Sequence, residues 1–98
     1  MPYTPPPTGP ICERIVFRGR VQGVGFRQHT KSIARAYPVV GYVRNLGDGS
    51  VELVARGPVS ALNGLVQQLA ADFAGSISGQ SREPWTLAEE LTEFEIRF

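Results

Sequence analysis

The sequence predicts an α+β fold with the element order β-α-β-β-α-β and one further strand, and three observations predict it. Apolar residues recur at helical spacing in two stretches, one beginning at Phe26 and one at Val59. Around them lie short stretches rich in β-branched and aromatic residues or alternating apolar with polar. Gly47-Asp48-Gly49 joins two of these stretches directly, as a tight hairpin requires. Helices and strands in this order give the split βαβ, or ferredoxin-like, sandwich: a mostly antiparallel sheet, two helices on one face, and an extra C-terminal edge strand.

The elements follow in order. Residues 1–10 hold five prolines, Pro2, Pro5, Pro6, Pro7 and Pro10, and little to bury, so they read as a disordered Pro-rich arm, with one domain over 11–98. Ile15-Val16-Phe17 centres a strand at about 13–19. From Phe26, the residues Ile33, Ala34 and Tyr37 fall near one helical face, Lys31 and Arg35 lie opposite, and Pro38 stops the helix. Val39 to Leu46 and Ser50 to Arg56 are the second and third strands; in the third, Val51, Leu53 and Ala55 alternate with Glu52, Val54 and Arg56. Pro58 opens the second helix, whose stripe is Val59, Leu62, Leu65, Val66, Leu69 and Phe73, and Gly75 ends it. Gly64 inside it costs about 1 kcal/mol against alanine, so this helix leans on tertiary packing. Ile77 to Trp85 is a polar fourth strand, Thr86 to Leu91 a connection, and Glu93 to Phe98 a fifth strand with charges on its outer face.

Ninety-eight residues make one core, and no apolar run approaches the ~20 residues that cross a bilayer. Cys12 is the only cysteine, which excludes an internal disulfide and fits a reducing, cytoplasmic setting. The net charge of +1 hides a segregation. From Arg14 to Gly47 there are seven basic residues and no acidic one, and from Asp48 onward eight acidic residues against three arginines. A one-signed segment draws anions; the alternative is a solvated basic face.

Within that segment, Gly19-Arg20-Val21-Gln22-Gly23-Val24-Gly25-Phe26-Arg27 places three glycines between a strand and a helix. Such a loop can turn bare N–H groups around an anion, at the positive end of the helix dipole, and Arg27 would sit on its rim with a fork that fits phosphate. It is not a Walker A sequence, and Gln28 stands where G-x-G-x-x-G needs glycine. On pattern alone a structural turn and an anion cradle stay equally open.

The same nine residues resemble the signature loop of the acylphosphatase family, and Gly41-Tyr42-Val43-Arg44-Asn45-Leu46-Gly47-Asp48-Gly49-Ser50-Val51-Glu52 resembles that family's other signature, in the family's order. The resemblance implies hydrolysis of the carboxyl–phosphate bond of acyl phosphates. By it, Arg27 binds the phosphate, Asn45 positions the attacking water, and Val21, Gln22, Gly23, Val24, Gly25 and Phe26 form the phosphate cradle with Arg27. It implies no metal and no organic cofactor. The partners it implies are a small-molecule acyl phosphate, with inorganic phosphate or sulfate as a site ligand; nothing points to nucleic acid or membrane, or demands more than a monomer. The chemistry agrees with the residues: a carboxylate leaves without a proton, so charge and geometry suffice, and a neutral amide orients water without repelling a dianion. The Pro-rich arm and the Thr86–Leu91 connection depart from the family pattern.

His29 is a weak candidate for acid or base, Gln22 for a loop support through its side chain, and Trp85 for packing. Arg20 and Arg44 read as solvated charges, and Cys12 as at least half-buried near the start of the first strand. Two other functions compete. One is a carbamoyl-phosphate-handling module of a larger maturation enzyme, against which the chain's end directly after a strand weighs. The other is a non-catalytic ferredoxin-like domain that binds an anion, or RNA; RNA binding wants exposed aromatics on the first and third strands, which offer Phe17 alone.

Overall fold

Alternation along the strands decides which face of the sheet is covered. The structure, a computed structural model, describes residues 9–98. Its elements are β1 (Ile11–Gly19), α1 (Phe26–Ala34), β2 (Val40–Asn45), β3 (Val51–Gly57), α2 (Val59–Asp72), β4 (Ile77–Pro84) and β5 (Phe94–Arg97). The strands form a sheet in the order β4-β1-β3-β2-β5. The pairs β1·β3, β1·β4 and β2·β3 are antiparallel, and β2·β5 is parallel. Ile15, Phe17, Val43, Val51, Leu53 and Ala55 lie on one face and pack with Phe26 and Ala34 of α1 and Leu62, Leu65 and Leu69 of α2 in a single buried cluster. Both helices therefore cover the same face, as the order of elements predicts. The Phe26 ring joins the layers, tilted against Phe17 at 5.1 Å and against Phe73 at 4.7 Å.

The boundaries differ in instructive places. β1 starts at Ile11, two residues before the expected strand, because Ile11 finds a partner in Gly57. α1 ends at Ala34, well short of Pro38. The chain tightens there into turns closed by Ala36 N–H to Ile33 O and Tyr37 N–H to Ala34 O. Proline bars helical geometry at the residue before it, and the last helical turn is lost with it. Tyr37 lies over Gly64, where an added methyl would meet its ring at 2.6 Å, and donates to Gln68 Oε1. The apparent flaw in α2 is thus a seat for an aromatic ring. β4 is polar because it is an edge strand, exposed along most of its length. The connection after it crosses from that edge to the opposite one, tied to β1 by Trp85 N–H to Cys12 O and to Arg97 by the Glu89 carboxylate. The predicted Pro-rich arm falls outside the described residues, apart from Gly9 and Pro10.

The face away from the helices is held by charge. Glu52 of β3 is only 2% exposed and accepts from Arg14 Nε of β1 and Arg44 Nε of β2, each at 2.6 Å. Arg44 is therefore an ion-pair partner and not a freely solvated charge. Arg97 of β5 lies over the Tyr42 ring at 4.1 Å. One carboxylate thus links three strands, and burial that would raise its pKa is outweighed by the two guanidiniums, which hold it below the usual carboxylate range.

Two outcomes follow from this packing. Gly41 has a φ of 154°, and a methyl there would sit 1.9 Å from Val54 O. Gly41→Ala should cost at least about 2–3 kcal/mol in urea unfolding, because the obstacle is backbone. Glu52→Gln should cost about 2 kcal/mol, less than a fully buried pair because both arginines reach solvent. Since the folded pKa of Glu52 is depressed, its contribution is whole above the unfolded value near 4.5 and is lost as pH falls through the folded one. Denaturant curves at pH 7 and pH 3 should therefore differ less for Glu52→Gln than for the parent.

Candidate active site

The loop between β1 and α1 is shaped by two glycines. Gly23 and Gly25 have φ of 77° and 80°, a region that costs other residues about 1 kcal/mol or more. Nothing lies within 4 Å of a methyl built at either, so backbone geometry alone asks for glycine. Gly25 is the N-cap of α1, has no side chain to cap the helix, and no acidic residue follows in the first turn. The positive end of the helix is left uncompensated by the chain itself. Among the described residues, no backbone carbonyl accepts from the N–H groups of Val21 through Gln28. These amides have hydrogen-bonding capacity to spare.

They border a cleft of about 260 Å³ lined by Val21, Gly23, Gly25, Phe26, Arg27 and Gln28 on one side and by Asn45, Ile96 and Phe98 on the other. Arg27 sits on α1, one residue after the anchored Phe26. Its guanidinium donates through Nη1 to Arg97 O at 3.3 Å and lies over the Phe98 ring at 4.9 Å. This leaves further N–H groups of the fork for a ligand. Asn45 is the last residue of β2, on the helix-covered side, and no hydrogen bond engages its carboxamide among the described residues. Arg27 and Asn45, which the sequence reading paired, line one cleft.

Two residues of the expected cradle direct their side chains away from the cleft, while their N–H groups stay uncommitted. Gln22 turns its side chain away from the cleft and donates Nε2 to Leu46 O at 2.8 Å and Ser50 O at 2.9 Å. Val24 stands out in solvent, 42% exposed. Ile96, Phe98 and Gln28 line the cleft without having been singled out as site residues. Alternation does put Phe94, Ile96 and Phe98 on one face, but only the parallel pairing with β2 brings that face to Asn45.

The remaining candidates lie elsewhere. His29 Nε2 is 2.7 Å from Asp72 Oδ2 and its ring meets Phe73 edge-on, on the seam between the helices. Arg14 and Arg44 are occupied by Glu52 on the far face, so the basic segment does not converge on the cleft. Trp85 is 41% exposed under the Arg14 guanidinium, and Phe17 is fully buried. Burial pushes the half-buried Cys12 thiol up, away from reactivity.

Known proteins resemble this chain in sequence and in fold. The family model described as Acylphosphatase matches residues 13–96. An acylphosphatase of Synechococcus is 42% identical over 80 residues, covering 82% of this chain and 85% of that protein. The crystal structure of acylphosphatase from Bacillus subtilis superimposes with a TM-score of 0.78 at 34% identity, over 90% of this chain and 99% of that one. The structure of HypF from T. kodakarensis, 24% identical with a TM-score of 0.75, matches 91% of this chain with 12% of its own length, a likeness of fold alone. Family model and relatives agree over most of the described domain, and the chain belongs to the acylphosphatase family.

Proposed function

We propose that the hydrolysis of acyl phosphates, the reaction of this family, is carried out here by the Val21–Phe26 loop, Arg27 and Asn45. The observation that carries the assignment is the cleft in which uncommitted amides and Arg27 face Asn45. The loop N–H groups and the α1 N-terminus take the phosphoryl oxygens, and the Arg27 fork adds paired, charge-assisted bonds. Arg97 O and the Phe98 ring hold the guanidinium over the cleft. The Asn45 carboxamide, free to accept and donate, orients a water in line with the bond to the leaving carboxylate. That carboxylate departs without a proton, so the protein needs no general acid. Charge develops on oxygens already met by fixed donors, and that preorganisation supplies the rate.

In this reading the physiological ligand is a small acyl phosphate and inorganic phosphate is a competitive product. Inorganic sulfate should occupy the same cradle. The enzyme acts as a monomer in the cytoplasm, which the lone, half-buried Cys12 suits.

Release of phosphate from acetyl phosphate tests the assignment. Arg27→Ala should lose about 10³-fold in kcat/KM together with competitive inhibition by phosphate, and Arg27→Lys should regain little, lacking the fork. Asn45→Ala should lose about 10²–10³-fold in kcat while phosphate inhibition persists. A fully active Arg27→Ala enzyme would overturn the reading. His29→Gln should keep turnover within about twofold, because its contact with Asp72 lies outside the cleft.

A further inference from the structure

Gln22 belongs to the loop by sequence and to the β2–β3 hairpin by contact. Its Nε2 donates to two carbonyls, Leu46 O and Ser50 O, which lie 24 and 28 residues away in the chain. Both carbonyls already accept one backbone bond, Leu46 O from Gly49 N–H and Ser50 O from Leu46 N–H. The carboxamide thus takes the second lone pair of each and binds the hairpin at its neck. The neck is stiff in its own right, since Ser50 donates through N–H and through its hydroxyl to Asp48 Oδ1. Leu46 directly follows Asn45, and Gly23 directly follows Gln22. Outside the cleft, the side chain therefore ties the loop that carries one wall to the hairpin that carries Asn45 of the other.

We infer that Gln22 is a positioning residue that fixes the spacing between the anion-binding amides and the Asn45 carboxamide, and so sets the in-line geometry of the reaction. The inference rests on the assignment of Asn45 above. Phosphate itself is gripped by one wall only, from the loop and Arg27. Attack by water requires the two walls in register, where displacements near 1 Å cost up to about 10²-fold in rate. Loss of the clamp should therefore separate turnover from anion binding.

The test uses Gln22→Met, which keeps length and loses both donors, and Gln22→Glu, which sets a carboxylate against the two carbonyls. With acetyl phosphate as substrate, each should lose about 10- to 100-fold in kcat, while the inhibition constant of inorganic phosphate moves less than about threefold. In an Asn45→Ala background, Gln22→Met should add less than about twofold, because the group it positions is gone. Losses that multiply in the double variant, or a kcat equal to the parent's, would overturn the inference. So would failure of both variants to fold, which would make the clamp purely structural. A parent protein that turns over no acyl phosphate would instead remove the functional reading beneath it, so the two failures are distinguishable.

Discussion

The site depends on the burial of Phe26. This residue is 1% exposed and wedged between Phe17 of the sheet and Phe73 beyond α2. Burying such a ring contributes about 2–3 kcal/mol, with about 1 kcal/mol more from each aromatic contact. That anchorage fixes where α1 begins. The residue before it is the left-handed Gly25, and the residue after it is Arg27. With the first helical residue pinned to the core, the open amides on one side and the guanidinium on the other have little freedom left. Thr30 reinforces the same turn, its hydroxyl donating to Phe26 O at 2.7 Å. The hydrophobic core thus holds the polar groups that line the cleft still.

Charge is used locally and on two faces. The basic segment reads in sequence as one field, yet folding distributes it. Arg14 and Arg44 converge on buried Glu52 and hold the uncovered face together, where an apolar layer would otherwise be needed. Of that segment's cations, Arg27 is the one that lines the cleft among the described residues. An anion there meets chiefly neutral donors, backbone amides and a carboxamide, with a single full positive charge. Under the proposed reading, such an arrangement would hold a phosphoryl group without trapping its product, because the dipoles need no counter-charge of their own.

The parallel pairing of β2 with β5 is the topological event that closes the site. Both strands run toward the same end of the sheet, so Asn45 and Phe98 emerge side by side, opposite the start of α1. The chain reaches that position by crossing from one sheet edge to the other after β4. The stretch that departs from the family pattern thereby lies on the route to the cleft wall, and the Glu89–Arg97 pair ties it down at the strand that backs Arg27.

Local sequence determined the elements and their order. Periodicity separates helices from strands through side-chain spacing alone, and glycine and proline mark the turns because their backbone limits act within one or two residues. The glycine loop was legible as either a turn or an anion cradle, and Arg27 and Asn45 became candidates through the resemblance of two short contiguous motifs to a known family. Tertiary structure decided what depends on distant partners. Glu52 alternates like a surface residue and is buried only because two arginines from neighbouring strands meet it. Gln22 reads as part of a loop, and only the fold shows that its side chain grips a hairpin. Ile96 and Phe98 reach the cleft through a strand order that no local pattern encodes. Spacing along the chain specifies which way a side chain points within its element; only packing between elements specifies what it meets there.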